Sequence, residues 1–255
     1  MSPSLQKSPQ FRCALALMAT VPGPRLDDPE ARPTPPLTRL EATELKHLFL
    51  RDLGATIGRI VDDHRADGIV VFTPRRAESL VRQLVPKNFK LFPQRGENVG
   101  EVLANAIEDL LNKGFPAVCL INCDSPTLPV SLLEVAIESL SRPGDRMVLG
   151  AVDGGGFYLL GLKQPHRELF ERISSSASNV VAHTNALAAS IGLKVEALPQ
   201  WYDVNDPKSL NRLCVELLGP DGPVLCPAPF TRQYLVKLIE AEGPARISPG
   251  LAGRI

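Results

Sequence analysis

The chain has 255 residues, 44% hydrophobic and 22% charged, the composition of an ordinary globular protein with enough apolar material for one large core. Its 28 basic and 28 acidic side chains cancel, so no net field draws it to nucleic acid or to an anionic membrane, and a polyanionic partner must be held locally. No apolar run approaches the roughly 20 residues needed to span a bilayer, and the segment from Cys13 to Val21 lacks the flanks of a signal peptide, which makes a cytoplasmic protein the expectation.

The first element is an apolar run at Cys13 to Met18, which reads as a strand buried on both faces. Six prolines and no apolar period between Val21 and Pro36 make a long surface loop. Leu45, Leu48, Phe49, Leu53, Ile57 and Ile60 then keep helical spacing, and Thr38 stands three residues before Glu41 as in a capping box. A β-branched run predicts a strand at Gly68 to Phe72, followed by a helix over Pro74 to Leu84 and a short strand at Lys90 to Pro93.

Val99, Val102, Leu103, Ala106, Ile107, Leu110 and Leu111 hold the i, i+3, i+4, i+7 rhythm of a helix that Lys113 and Gly114 close. Beyond it the pattern predicts a strand at Phe115 to Ile121, a helix at Leu132 to Leu140 and paired strands at Met147 to Val152 and Phe157 to Leu162. Helices follow near Arg167 to Ile173 and from Asn179 to Ile191, then a strand at Lys194 to Leu198 and a helix from Asp206 to Leu217; the tail beyond is less regular. Strands alternating with helices imply a mainly parallel sheet covered on both faces.

The five cysteines, Cys13, Cys119, Cys123, Cys214 and Cys226, are odd in number and fit a reduced compartment, with Cys119 and Cys123 read as small buried hydrophobes. His47 and His64 read as helix-face or surface residues, and His166 and His183 have no carboxylate or serine at a telling spacing, so no histidine is assigned to catalysis. The motifs of serine hydrolases, P-loop nucleotidases and structural zinc proteins are missing from the sequence.

In open parallel sheets, ligands bind beyond the carboxyl ends of the strands, which directs attention to three places. Asn122-Cys123-Asp124-Ser125-Pro126 follows a buried strand, and Asp124 there either caps a turn or holds Mg²⁺ or Mn²⁺, which take oxygen ligands and bridge to phosphates. Asp153-Gly154-Gly155-Gly156 is either a plain hairpin turn or a place where Gly155 and Gly156 let the backbone approach a ligand closely. In Trp201-Tyr202-Asp203-Val204-Asn205-Asp206, the last residue precedes Pro207 and reads as a helix N-cap, which leaves Asp203 as the metal or acid-base candidate.

Leu120-Ile-Asn-Cys-Asp-Ser-Pro-Thr-Leu128, Leu149-Gly-Ala-Val-Asp-Gly-Gly-Gly-Phe-Tyr-Leu-Leu-Gly-Leu162 and Leu198-Pro-Gln-Trp-Tyr-Asp-Val-Asn-Asp206 together resemble a bacterial family of GT-A-type nucleotide-diphospho-sugar transferases that includes arsenosugar-biosynthesis glycosyltransferases. The resemblance covers residues from about 11 to 217, more distantly takes in the guanylyltransferases of cofactor synthesis, and divides the chain into a tail over 1–10, a transferase domain over 11–218 and an extension over 219–255. It implies a Rossmann-like α/β/α sandwich, with Asp124 at the family's metal motif, a divalent cation (Mg²⁺ or Mn²⁺) on Asp124 and Asp203, and Asp203 also as the catalytic residue. It further implies nucleotide contacts from Pro22, Gly23 and Arg25 in the first loop, from Gly100 and Glu101, and from Gly155 and Gly156.

Several positions depart from the family pattern. The first loop lacks the family's lysines, for which Arg25 and Arg32 are the available substitutes; Gly154 stands where a carboxylate is usual, with Asp153 displaced by one; Ser174-Ser175-Ser176 replaces Trp-Ser-Thr, and Asn205 replaces an aspartate. Three functions follow as expectations: a metal-dependent glycosyltransferase with a nucleotide-sugar donor and a small-molecule acceptor; a nucleotidyltransferase that uses a nucleoside triphosphate and a phosphorylated acceptor; or a homologue that has lost turnover and binds a ligand or partner.

Overall fold

In a computed structural model, residues 11–22, 36–63, 65–171, 173, 180–220 and 225–249 are described. The chain opens with β1 (Cys13–Thr20), whose first five residues are wholly inaccessible to solvent. Helix α1 (Arg39–Asp62) begins with the expected capping box, Thr38 Oγ1 accepting the Glu41 amide and the Glu41 carboxylate accepting the Thr38 amide. Strands β2 (Ala66–Thr73) and β3 (Lys90–Pro93) follow, with α2 (Glu78–Leu84) between them.

The strongly periodic helix is α3 (Val99–Asn112), and β4 (Val118–Asn122), α4 (Val130–Ser141), β5 (Met147–Val152) and β6 (Phe157–Leu162) come after it. The described part ends with α5 (Val180–Ser190), β7 (Val195–Trp201), α6 (Pro207–Leu218), α7 (Pro229–Glu242) and α8 (Pro244–Ile247). The sheet order is β3-β2-β1-β4-β6-β5-β7, and β6 alone runs against its neighbours.

Period-two alternation in the strands divides the core between two faces. Leu15, Leu17, Val70, Phe72, Cys119 and Ile121 point to the face that also buries Leu53, Ile57, Leu133 and Leu140 of α1 and α4. Ala16, Ile69, Val71, Val118 and Leu120 point to the other, where Leu103, Ile107 and Leu110 of α3 cover them. This is the Rossmann-like α/β arrangement that the alternation of elements implied.

Among the differences from the sequence pattern, four stand out. The strand expected from Phe115 starts only at Val118, because the helix-closing turn at Gly114 (φ +92°) is followed by Pro116, which has no amide to donate. The helix expected at Arg167 to Ile173 is a short 3₁₀ turn, Arg167–Phe170. Strand β7 runs three residues past Leu198 and through Pro199; it is the last strand of the sheet, where a missing amide leaves no ladder bond unmade. The irregular tail contains α7, whose Leu235, Leu238 and Ile239 pack with Phe49 of α1 and Leu213 and Leu217 of α6 in a third apolar cluster.

The anchor of that tail is Asp52, a carboxylate only 1% exposed on the buried face of α1. It accepts the backbone amides of Phe230 at 3.1 Å and Thr231 at 2.9 Å, so α7, whose own N-cap residue Ala228 has no side-chain acceptor, is capped from another element. Burial pushes the Asp52 carboxyl above its ordinary range, opposed by those hydrogen bonds. Replacing Asp52 by Ala is therefore expected to cost about 2 kcal/mol, roughly 4–8 °C of melting temperature. It should also speed hydrogen exchange at the Phe230 and Thr231 amides; an unchanged melting point would show that α7 is held by its apolar face alone.

Candidate functional site

The carboxyl ends of β1, β3, β4, β5 and β7 and the start of β6 lie at one edge of the sheet, and a cleft of about 840 Å³ opens there. That is within the 300–1,000 Å³ range of small-molecule sites. Thr20 ends β1, Asn122 ends β4, Val152 ends β5, Phe157 begins β6 and Asp203 follows β7; Gln94, Asn98 and the first turn of α3 close the far side. Its walls are aliphatic, aromatic and carboxamide, with Glu97 and Asp203 as the charged side chains.

Two backbone-level ties set the segments of Asp124 and Asp203 against each other. The Val204 amide donates to the Asp124 carbonyl at 2.8 Å, and the Ser125 hydroxyl, 1% exposed, donates to the Tyr202 carbonyl at 2.8 Å. Tyr202 is further fixed by its hydroxyl, which contacts Thr127 at 3.2 Å and donates to Glu216, and by the Arg212 guanidinium stacked 3.9 Å above its ring.

The electrostatics follow from that placement. Burial, and after it the neighbouring charge of Asp124, raise the Asp203 carboxyl above its usual range. Asn205 Nδ2 donates to Asp203 Oδ2 at 2.7 Å and opposes the shift. The asparagine at this position thus orients and stabilises an ionised Asp203, which an aspartate there could not do. Asp124 has a partner the sequence did not suggest: Lys46 of α1, its ammonium 3.5 Å from Oδ1.

Whether a divalent cation fits is a question of donors. Among the described residues no group of three His, Cys, Asp or Glu side chains could hold a metal by itself. Asp203 lines the cleft, Asp124 the smaller cavity beside it and Asn122 both, and these oxygen donors would suit a hard ion that completes its shell with water and substrate phosphate. Were such an ion bound together with a substrate, Asp124 and Asp203 would be the protein groups placed to hold it.

The other residues singled out in the sequence are dispersed. Asp206 caps α6, its Oδ1 accepting the Ser209 amide at 2.8 Å, as Pro207 after it suggested. Gly154 (φ +98°) and Gly155 (φ +92°) make the hairpin between β5 and β6; the Gly155 carbonyl accepts the Val181 amide, and Gly156 lines the cleft. Asp153 is bound at the surface by Gln200 at 2.8 Å and Arg212 at 3.2 Å.

Gly100 and Glu101 line a neighbouring shallow depression and not the cleft. A Cβ on Gly100 would stand 2.3 Å from the Phe170 carbonyl oxygen, so close helix packing accounts for that glycine. The Glu101 carboxylate accepts the Glu97 amide and Asn98 Nδ2, both at 2.9 Å, and closes the first turn of α3. The Pro22 carbonyl lies 2.9 Å from His47 Nε2; Gly23, Arg25 and Arg32, like Ser174 to Ser176 and His64, lie outside the described residues.

His47 is a helix-face residue, as read, and a buried one whose ring meets the Pro22 carbonyl where β1 leaves the sheet. His166 lies between Asp145 at 2.6 Å and Glu168 at 3.1 Å, a contact that the spacing along the chain concealed. All five cysteines are free thiols.

Residues 56–177 match the model of the DUF2064 family, described as an uncharacterised protein conserved in bacteria. No curated protein matches the chain. Among solved structures, a Desulfovibrio desulfuricans G20 protein provisionally described as a nucleotide-diphospho-sugar transferase superposes with a TM-score of 0.75 at 21% identity, over 90% of this chain and 98% of its own. A cytidylyltransferase from Leptospira borgpetersenii serovar Hardjo-bovis (strain JB197) is more distant, with a TM-score of 0.48 at 12% identity over 93% of this chain and 97% of its own. The chain thus has the seven-stranded, mostly parallel Rossmann-like fold of a nucleotide-diphospho-sugar transferase neighbour.

Proposed function

We propose that the chain is a nucleotide-dependent transferase that seats a nucleotide-diphospho-sugar in the large cleft and uses Asp124 and Asp203 to hold a divalent cation against its phosphates. The observation that supports this reading most directly is that the segments of Asp124 and Asp203 are tied together beyond the ends of β4 and β7, with Asp203 in the wall of a cleft large enough for a nucleotide and Asp124 in the cavity beside it. When bound, the ion would neutralise phosphate charge and the charge that develops on the leaving group. The chain's own contributions are positional: Ser125 and the Val204 amide hold the two acids in register, Asn205 orients Asp203, and the carboxamides of Gln94, Asn98 and Asn122 offer hydrogen bonds to uncharged groups of a ligand.

The test is a thermal-shift panel of UDP-, GDP-, ADP- and dTDP-sugars and the corresponding triphosphates, each with and without Mn²⁺ or Mg²⁺. A ligand at a hundredfold excess over its Kd adds about 2.7 kcal/mol to stability. A metal-dependent shift with one nucleotide sugar is the expected result; pyrophosphate release from a triphosphate would assign nucleotidyl transfer instead, and a flat panel would leave a fold that has lost its substrate.

A further inference from the structure

Beside the large cleft, below the exit of β1, lies a second cavity of about 290 Å³, and the two share Met18, Thr20, Val99 and Asn122 in their walls. Its other polar side chains are Lys46 and His47 of α1 and Asp124. Among the described residues lining either cavity, Lys46 is the single lysine or arginine. His47 is already engaged with the Pro22 carbonyl, which leaves Lys46 as the group able to meet an anion.

The contact between Lys46 and Asp124 is loose. At 3.5 Å it exceeds the roughly 2.7–2.9 Å of a tight charge-assisted hydrogen bond, and the Lys46 side chain keeps 26% of its surface exposed. The ammonium therefore offsets the Asp124 charge without being locked to it, and has three donors to offer. At roughly 30 Å³ per water-sized group, this cavity has room for about ten non-hydrogen atoms, and a diphosphate has about nine.

We infer that the smaller cavity is an oxyanion subsite that takes the diphosphate of the donor, with Lys46 as its phosphate contact and Asp124 as the resting counter-ion of Lys46. The inference deepens the nucleotide reading above, but its chemistry stands on α1 and not on the proline-rich first loop. It assigns Lys46 two opposed effects. Beside Asp124 the Lys46 ammonium would oppose a divalent cation, and toward the cavity it would donate to phosphate oxygens.

The experiment is calorimetric titration of the full chain, and of its Lys46→Met and Lys46→Arg variants, with Mn²⁺ alone and with inorganic pyrophosphate in the presence of Mn²⁺. Lys46→Met should weaken pyrophosphate on the order of ten- to a hundredfold, the loss of one contact to a charged group. Lys46→Arg should retain pyrophosphate binding within a few-fold, and Mn²⁺ alone should bind Lys46→Met at least as tightly as the parent. Unchanged pyrophosphate affinity in Lys46→Met, an equal loss of Mn²⁺ and pyrophosphate, or no pyrophosphate binding by the parent would each overturn the assignment. Pyrophosphate binding lost in Lys46→Met alone, in a parent that binds none of the nucleotides, would uphold the subsite and retire the nucleotide reading.

Discussion

Replacing Asp203 by Asn is expected to raise the melting temperature at neutral pH while weakening Mn²⁺ binding and lowering transferase kcat/KM on the order of a hundredfold or more. The stability half follows from the direction of the pKa shift. The Asp203 carboxyl is raised in the folded protein, by burial first and by Asp124 second, so the native state binds its proton more tightly than the unfolded chain does. Below the ordinary carboxyl pKa both states carry the proton and the residue contributes nothing. As pH rises through the window between the unfolded and the raised native value, the folded state takes on an unfavourable charge, and stability falls to a plateau above it. Asparagine keeps the shape and an oxygen to accept from Asn205 but carries no charge, so its advantage should be full at pH 7 and vanish near pH 3. The functional half follows from the same charge being what a cation needs. Thermal melts of both proteins between pH 3 and 8 and Mn²⁺ titrations at pH 7 check the pair of claims. A destabilised Asp203→Asn would mean that the carboxylate is structural.

Much of this was readable along the chain because it is written at short range. The continuous apolar runs of β1, β2 and β4, the capping box at Thr38, the three-turn rhythm of α3 and the Asp206-Pro207 start of α6 each depend on residues within a few positions of one another. Asp124 and Asp203 stood out for a related reason: each lies just beyond the carboxyl end of a strand, and sheet topology carries those ends to a common edge, where the structure places both. The residues that were missed depend on contacts between remote segments. Lys46 sits on the half-buried side of an amphipathic helix, and no spacing rule links it to Asp124. Asp52 takes its meaning from Phe230 and Thr231, partners 178 and 179 residues away that no local pattern points to. His166 meets Asp145 because the turn after β6 returns to the start of β5, and α7 has its apolar residues in sight but its cap on another helix.

Gly150→Ala should be among the most damaging single methyls in the sheet, costing about 3 kcal/mol, roughly 6–12 °C of melting temperature. Gly150 lies in β5 between Leu159 of β6 and Leu198 of β7, and the pairing with both neighbours shifts register just after it. A Cβ there would stand 2.2 Å from the Tyr158 ring, inside any possible contact distance. Tyr158 cannot swing outward: it is wholly buried, and its hydroxyl donates to the Pro199 carbonyl of β7 at 2.8 Å, while burial pushes the phenol up to about 12. The glycine therefore makes room for a tyrosine that reaches past β5 to hold the strand leading into Trp201, Tyr202 and Asp203. Displacing the ring should also loosen that segment, so Mn²⁺ affinity is expected to fall along with stability. A double-mutant cycle isolates the cause: in a Tyr158→Leu background the ring is gone, and Gly150→Ala should then cost far less than it does in the parent. If the two substitutions prove additive, the steric conflict lies with the backbone of β5 and not with Tyr158.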